Sequence, residues 1–309
     1  TRALLHVRAV FASTQYHTAL MAVACEIALK ARSYIDMTFP KILDIFEVTA
    51  FDFVSVLDTA KRGCTSLPEP LEQHLFSIEY QILESTAWQP DQAPATLYLC
   101  HKSAESSDSD SANVPRKVSV FLKKLRRLAA MRIASICRLF DGAVDESARD
   151  CIWTVVERIF TEEMTLMKNR HLDSLVLCAI YAVGRLRRLK TITFKHIIQK
   201  YQILYPRRSR RTLHVVACVA TDDGKTANII QFYNTKFVPR MKAFVCALGK
   251  SNSEGKTDSA AASSAKDAST VTAEIHKLPE PQNSMQQIKS YNLFVSNRRS
   301  HMTPQTRAL

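Results

Sequence analysis

Apolar residues recur every three or four positions along most of this chain, which places them on single faces of helices. His17, Leu20, Met21, Ala24, Ile27 and Ala28 mark the first face. Thr38-Phe39-Pro40 breaks it, because a residue ahead of proline avoids the helical region. Ile42, Ile45 and Phe46 continue briefly. Another helix begins at Ala50-Phe51-Asp52-Phe53, runs through Val56, Leu57 and Ala60, and is expected to stop at Gly63. Pro68 and Pro70 introduce a further helix through Leu75, Ile78, Ile82 and Leu83, ending near Trp88.

The character then changes. HKSAESSDSDSANVP is polar, acidic and Ser-rich, and reads as a flexible spacer. Helical spacing resumes with Phe121, Leu125, Leu128, Ala129, Ile136 and Phe140 on one face. Expected helices follow over 151–167, 172–186 and 194–204. The second of these is apolar nearly all round, so it is expected at the centre of a bundle. A polar turn with Asp222, Asp223 and Gly224 precedes a last helix carrying Phe237, Met241, Phe244, Val245 and Leu248. The pattern therefore predicts an all-α chain: a helical block at 1–90, a spacer at 91–116, a second helical block at 117–249, a disordered linker at 250–289 and a tail at 290–309.

Composition narrows the picture. With 309 residues and 46% apolar content, two modest cores are possible. Only 6 glycines argue against a turn-rich β sandwich or a Gly-rich nucleotide binder. The 8 cysteines include no C-x-x-C pair and mostly fall on apolar helical faces, which fits small buried hydrophobes in a reducing compartment. A net charge of +13 favours acidic partners. The chain starts at Thr1 and runs straight into helical spacing, so a fragment is expected, and no signal peptide is visible at this start. The apolar run from Leu175 to Val183 is too short to span a bilayer.

The candidate chemistry is recognition, not catalysis. Tyr181 and the FYN segment, Phe232-Tyr233-Asn234, supply two phenols and an amide. An extended peptide that docks leaves its own N–H and C=O groups to be satisfied. Asparagine offers both a donor and an acceptor, and a tyrosine packs its ring while its hydroxyl bonds. Arg185, Arg187, Arg188, Lys190, Lys195 and Lys242 form a basic set that would attract a glutamate and acidic flanks.

Longer segments carry a family resemblance. FPKILDIFEVTAFDFVSVLD (39–58) and SIEYQILESTAW (77–88) resemble the end of the A box of retinoblastoma-family pocket proteins. SVFLKKLRRLAAMRI (119–133), the stretch 152–186 containing RHLD, and IIQFYNTKFVPRMK (229–242) resemble their B box. NLFVSNRRS and MTPQTRAL resemble part of the C-terminal domain. The resemblance implies two cyclin-like helical units, the first truncated, and a nuclear corepressor of the cell cycle without enzymatic activity or cofactor. It implies two sets of partners: transcription factors of the E2 promoter-binding family, and Leu-x-Cys-x-Glu proteins such as chromatin modifiers and D-type cyclins. It further implies a peptide groove with Tyr181, Tyr233 and Asn234 as contacts, Cys178 and Ile230 as apolar walls, and Phe194, Lys195 and Lys242 as further positions. Arg185 stands where the human protein has Lys, and Cys246 where Leu is expected, which makes one wall shallower. For a transcription-factor site between the boxes, Glu79 matches an acidic anchor, Asp58 replaces a Glu, and Lys123 and Arg127 match basic positions. Thr303-Pro304 is a minimal site for a cyclin-dependent kinase.

Other features have plainer explanations. The run RRSRR (207–211) fits a solvated loop or a nuclear localisation signal; direct DNA contact through it, as in a cyclin-fold general transcription adaptor, is the competing function, and DNA contact is otherwise expected to be indirect. His214 and Cys218 have the i, i+4 spacing of a metal pair on a helix but no further ligands nearby. Cys151 with His171 lacks the orienting third group of a nucleophile pair.

Overall fold

The computed structural model describes residues 12–34, 36–64, 67–94, 97, 116–140, 142–206, 210–220 and 224–254, with backbone alone at 210–211 and 250–254. These all fall in one unit of the chain, Thr1–Leu278. Most of the expected spacer, the linker and tail beyond Glu254 with Thr303, and the start of the RRSRR run lie outside the described residues.

The first block holds α1 (Thr14–Ala31), α2 (Lys41–Ile45), α3 (Ala50–Gly63), α4 (Glu69–Glu84) and a 3-10 turn, Thr86–Trp88. Local chemistry sets its boundaries. Ser13 Oγ accepts from Tyr16 N to start α1, and Thr49 Oγ1 accepts from Asp52 N to start α3. Pro68 and Pro70 open α4, where a missing N–H costs nothing. The block closes around a buried acid: Glu26 on α1 contacts His74 Nε2 at 2.7 Å on α4 and accepts from Phe39 N at 2.8 Å.

The second block holds α5 (Arg116–Cys137), α6 (Glu146–Thr161), α7 (Leu172–Leu186), α8 (Phe194–Leu204), α9 (Arg210–Ala217), a hairpin of β1 (Cys218–Ala220) and β2 (Thr226–Asn228), then α10 (Ile229–Phe232) and α11 (Val238–Glu254). A π-helical segment, Tyr233–Phe237, joins the last two. The central position expected for α7 is observed: it packs on α5, α6, α8 and α11, and from Leu172 to Gly184 only Tyr181 is not buried. Two short strands flank the position of the expected polar turn, pairing Val219 with Ala227, while Asp222 and Asp223 of that turn lie outside the described residues. Cys218 therefore lies in a strand, and the helical pairing of His214 with Cys218 does not form.

The two blocks share an interface made by α3 and α4 against α5, and α4 against α7. Phe121 on α5 meets Phe51 at 5.3 Å and Trp88 at 5.8 Å between ring centroids. Trp88 is fully buried, its indole N–H donates to Leu83 O at 2.7 Å, and its own carbonyl accepts from Asn169 N at 2.7 Å. Burying an aromatic side chain of this kind is worth about 2–3 kcal/mol, so this ring is a main anchor of the interface. Among the described residues, no helix is long and apolar enough to cross a membrane.

Candidate functional site

Three aromatic rings from three parts of the second block converge. Tyr181, on the outer side of α7, stacks on Phe194 at the start of α8 with centroids 4.1 Å apart. Tyr233, in the π-helical segment, meets Tyr181 edge-on at 5.0 Å and Phe194 at 5.5 Å. Phe237 then stacks on Tyr233 from below at 5.4 Å. The sequence separates Tyr181 from Tyr233 by more than fifty positions, and the packing of α11 against α7 brings them together. Burial pushes the Tyr233 phenol up to about 12, with the neighbouring Cys178 and Tyr181 adding to the rise and Arg185 opposing it.

The amide at Asn234 is exposed, with no hydrogen-bond partner among the described residues. Ile230, one helical turn earlier, is 51% exposed, an unusual fraction for a large aliphatic side chain next to an aromatic cluster. Lys195 is also exposed, beside the buried Phe194. Cys178 lies fully buried beneath the cluster, and burial raises its thiol well above the ordinary value. It supports the cluster from inside instead of offering a surface.

On the other side of Tyr233 a cavity of about 290 Å³ opens between α7 and α11. Ala182, Phe237, Met241 and Val245 supply buried apolar lining, and Arg185, Lys242 and Cys246 line it from the exposed surface. Neither Arg185 nor Lys242 makes an ion pair among the described residues. Arg187 differs: it donates to Asp145 Oδ1 at 3.2 Å, to Ser147 Oγ at 2.7 Å and to Cys151 Sγ at 3.3 Å. It therefore staples the end of α7 to the start of α6, and does not belong to the basic rim. The same contact occupies the Cys151 thiol, while His171 caps α7 by accepting from Asp173 N, so these two do not form a nucleophile pair.

Between the blocks, Glu79 and Asp58 converge on a residue the sequence did not single out. Lys124 Nζ lies 2.6 Å from Glu79 Oε1 and 2.9 Å from Asp58 Oδ1, and Lys61 Nζ meets Glu79 Oε2 at 2.9 Å. Burial disfavours the Lys124 cation, but Glu79 and Asp58 more than offset that and raise its pKa. Lys123 and Arg127, the expected basic positions, are exposed on the adjoining face of α5. The signal that identifies Lys124 is its place beside Leu125 on a helix whose apolar face meets the first block; the FLKKL string alone does not separate it from Lys123.

The RHLD segment forms a second polar joint. Arg170 donates to Ala220 O at 2.8 Å and Leu166 O at 3.1 Å and lies over the Phe232 ring, tying the hairpin and the FYN segment to the turn before α7. His171 Nε2 approaches Glu84 Oε2 of the first block at 3.3 Å. Arg132 on α5 pairs with the same Glu84 and lies 3.5 Å from Asp173, which also accepts from Tyr201 OH at 2.6 Å. Glu84, His171 and Asp173 have the ligand atoms for a metal, yet Arg132 already supplies the positive charge their carboxylates need, so the cluster is a salt-bridged joint. Burial opposes the Arg132 cation, and Glu84 leads the anions that raise its pKa in spite of it.

Comparison with known proteins gives two family matches. The Retinoblastoma-associated protein A domain matches residues 5–94 and the Retinoblastoma-associated protein B domain matches residues 117–242. Retinoblastoma-related protein 1 of Oryza sativa subsp. indica is 22% identical over 342 aligned positions, covering 78% of this chain and 34% of that protein. Retinoblastoma-related protein 1 of Triticum aestivum is 23% identical over 341, covering 79% and 35%. Retinoblastoma-related protein of Cocos nucifera is 21% identical over 400, covering 93% and 39%. The chain thus spans between 34% and 39% of the length of these curated relatives.

Proposed function

Because the chain belongs to the retinoblastoma family of pocket proteins, we propose that it regulates transcription in the cell cycle as a non-enzymatic nuclear corepressor, gripping short segments of other proteins. Its second block takes Leu-x-Cys-x-Glu peptides of chromatin modifiers or D-type cyclins in the groove around Tyr181, Tyr233 and Asn234. The joint between the blocks, edged by Lys123 and Arg127, takes the transactivation segment of an E2 promoter-binding transcription factor. Phosphorylation by a cyclin-dependent kinase releases that factor.

The observation that supports the groove is a cluster of three packed aromatic rings with two exposed cations, Arg185 and Lys242, around Tyr233, whose neighbour in sequence, Asn234, is exposed and has no hydrogen-bond partner among the described residues. An amide held beside rigid rings satisfies a peptide backbone at low entropic cost. The cations meet a glutamate and speed its approach.

Titration calorimetry of a Leu-x-Cys-x-Glu peptide tests the groove. Asn234→Ala is expected to weaken binding by about 1–3 kcal/mol, since peptide backbone groups lose their partner. Unchanged affinity in a folded variant counts against the assignment.

A further inference from the structure

Arg187 reaches from the end of α7 to an exposed serine at the start of α6. Its Nη2 donates to Ser147 Oγ at 2.7 Å, while Nη1 donates to Asp145 Oδ1 at 3.2 Å and lies 3.5 Å from Oδ2. The Ser147 hydroxyl itself donates to no acceptor among the described residues. Its oxygen is therefore held by a cation while its proton is free to leave. Ser147 is the second residue of α6, behind the N-cap Asp145, which accepts from Ala148 N at 2.7 Å. The surrounding sequence is acidic on both sides: Asp145 and Glu146 come directly before, and Asp150 stands three positions after.

We propose that Ser147 is a phosphorylation site for an acid-directed serine kinase, and that Arg187 clamps the phosphoserine, fastening α7 to α6 more firmly than the hydroxyl does. A kinase with a basic substrate groove reads carboxylates placed before and three positions after its serine. In the transfer, Ser147 Oγ gives its proton to the kinase's catalytic base and bonds to the γ-phosphorus of ATP; the bond from that phosphorus to the β-phosphate oxygen breaks, and ADP leaves. Presenting Ser147 in extended form frays the first turn of α6. That breaks the Asp145 cap and the Arg187 contacts, but of Asp145, Glu146, Ser147 and Ala148 it uncovers only Ala148 from the core. Once added, the phosphate carries a charge of about −1.5 to −2 and three acceptor oxygens. A guanidinium meets such a group through two parallel N–H bonds, each stronger than a bond to a neutral hydroxyl. Both terminal nitrogens of Arg187 already point at this spot, and its side chain is only 22% exposed, which limits screening. The unpartnered N–H groups of the first turn favour the same anion. Asp145, Glu146 and Asp150 oppose it, so the sign of the effect rests on Arg187.

The test incubates the folded full chain with ATP and a purified kinase of the casein kinase 2 class, maps the phosphate by mass spectrometry and follows thermal unfolding by scanning fluorimetry. Phosphate is expected on Ser147, with the midpoint raised by about 2–4 °C over the untreated protein. Ser147→Ala, treated alike, is expected to lose that rise; it separates this site from spacer serines such as Ser107, which also has an acid, Asp110, three positions on. Arg187→Gln, phosphorylated at Ser147, is expected to show no rise over its own untreated form. Ser147→Glu places a carboxylate beside an intact Arg187 and is expected to raise the midpoint without any kinase. Absence of phosphate from Ser147 overturns the site. A midpoint that is unchanged or lower after Ser147 is phosphorylated overturns the clamp, and so does a rise that persists in Ser147→Ala or in Arg187→Gln. Should Arg187→Gln fail to fold, a Ser147→Glu midpoint below the parent's overturns the clamp on its own.

Discussion

Removing Glu84 is expected to loosen the union of the two blocks more than any other single charge change. The carboxylate sits on the first block, and its partners Arg132 and His171 sit on the second. The side chains of Glu84 and Arg132 are only 9% and 13% exposed, so water does little to screen either charge. Breaking a buried pair by deleting one partner costs about 3–5 kcal/mol, because the remaining charge stays buried without compensation. Asp173 lies 3.5 Å from the Arg132 guanidinium and offers partial compensation. Glu84→Ala is therefore placed at the low end, about 3 kcal/mol. The double variant Glu84→Ala/Arg132→Met removes the stranded cation and is expected to recover at least ~1 kcal/mol of that loss. Urea denaturation followed by circular dichroism measures both. A Glu84→Ala cost below about 1 kcal/mol, or a double variant no more stable than the single one, would show that the charge is not held as described.

Four further outcomes are expected. A Cβ on Gly184 would stand 2.7 Å from the buried Ile192 Cγ2; Gly184→Ala should cost about 1–3 kcal/mol in the same denaturation assay. A Cβ on Gly249 meets only the flexible tip of Leu186, at 2.6 Å; since Leu186 lines the cavity, Gly249→Ala should leave stability within about 1 kcal/mol of the parent and weaken peptide binding. The Tyr233 phenol, pushed up to about 12 by burial, keeps its proton in the folded protein at pH values where the unfolded chain loses it. Its contribution to stability is complete below pH 10 and lost as the pH rises toward 12. Solvent screening of the half-exposed ring limits it to about 1 kcal/mol; phenolate absorbance, parent minus Tyr233→Phe, should appear only near pH 12. Cys64 and Cys246 are exposed, whereas Cys137 and Cys178 are buried with thiols pushed upward; alkylation followed by mass mapping should label the first pair in the folded protein and the second only after unfolding.

Apolar spacing made much of the fold legible. The expected helices at 172–186 and 194–204 coincide with α7 and α8, because a clear N-cap precedes each and the apolar run ends where arginines or aromatics take over. Gly63 ends α3 as expected, though in helical geometry and without the left-handed turn its residue type suggested. The stretch 151–167 was less legible: the helix stops at Thr161, and Met164–Met167 tightens into a 3-10 turn that buries Met164, Leu166 and Met167 from another direction. Periodicity cannot tell these apart, since both present apolar residues every three or four positions. At the site, residue types pointed to Tyr181, Tyr233 and Asn234, but the parts that depend on direction were hidden. Arg187 and Arg185 are two positions apart in one basic run, and one reaches across to the exposed Asp145 at the start of α6 while the other lines the cavity. Lys124 was indistinguishable from Lys123 until the helix face was known.

The π-helical segment makes the number of residues between Phe232 and Val238 matter as much as their identity. Each residue advances an α-helix by about 100°. The segment's i→i+5 winding already holds one residue more than an α-helical turn, so a further inserted position, which the widened turn cannot absorb, would swing everything after it round the axis by that amount. Met241 and Val245 would leave the cavity floor, and Lys242 would leave its rim. Substitutions at the exposed Thr235 of FYNTKF should be tolerated, while an insertion into the segment should abolish the groove outright.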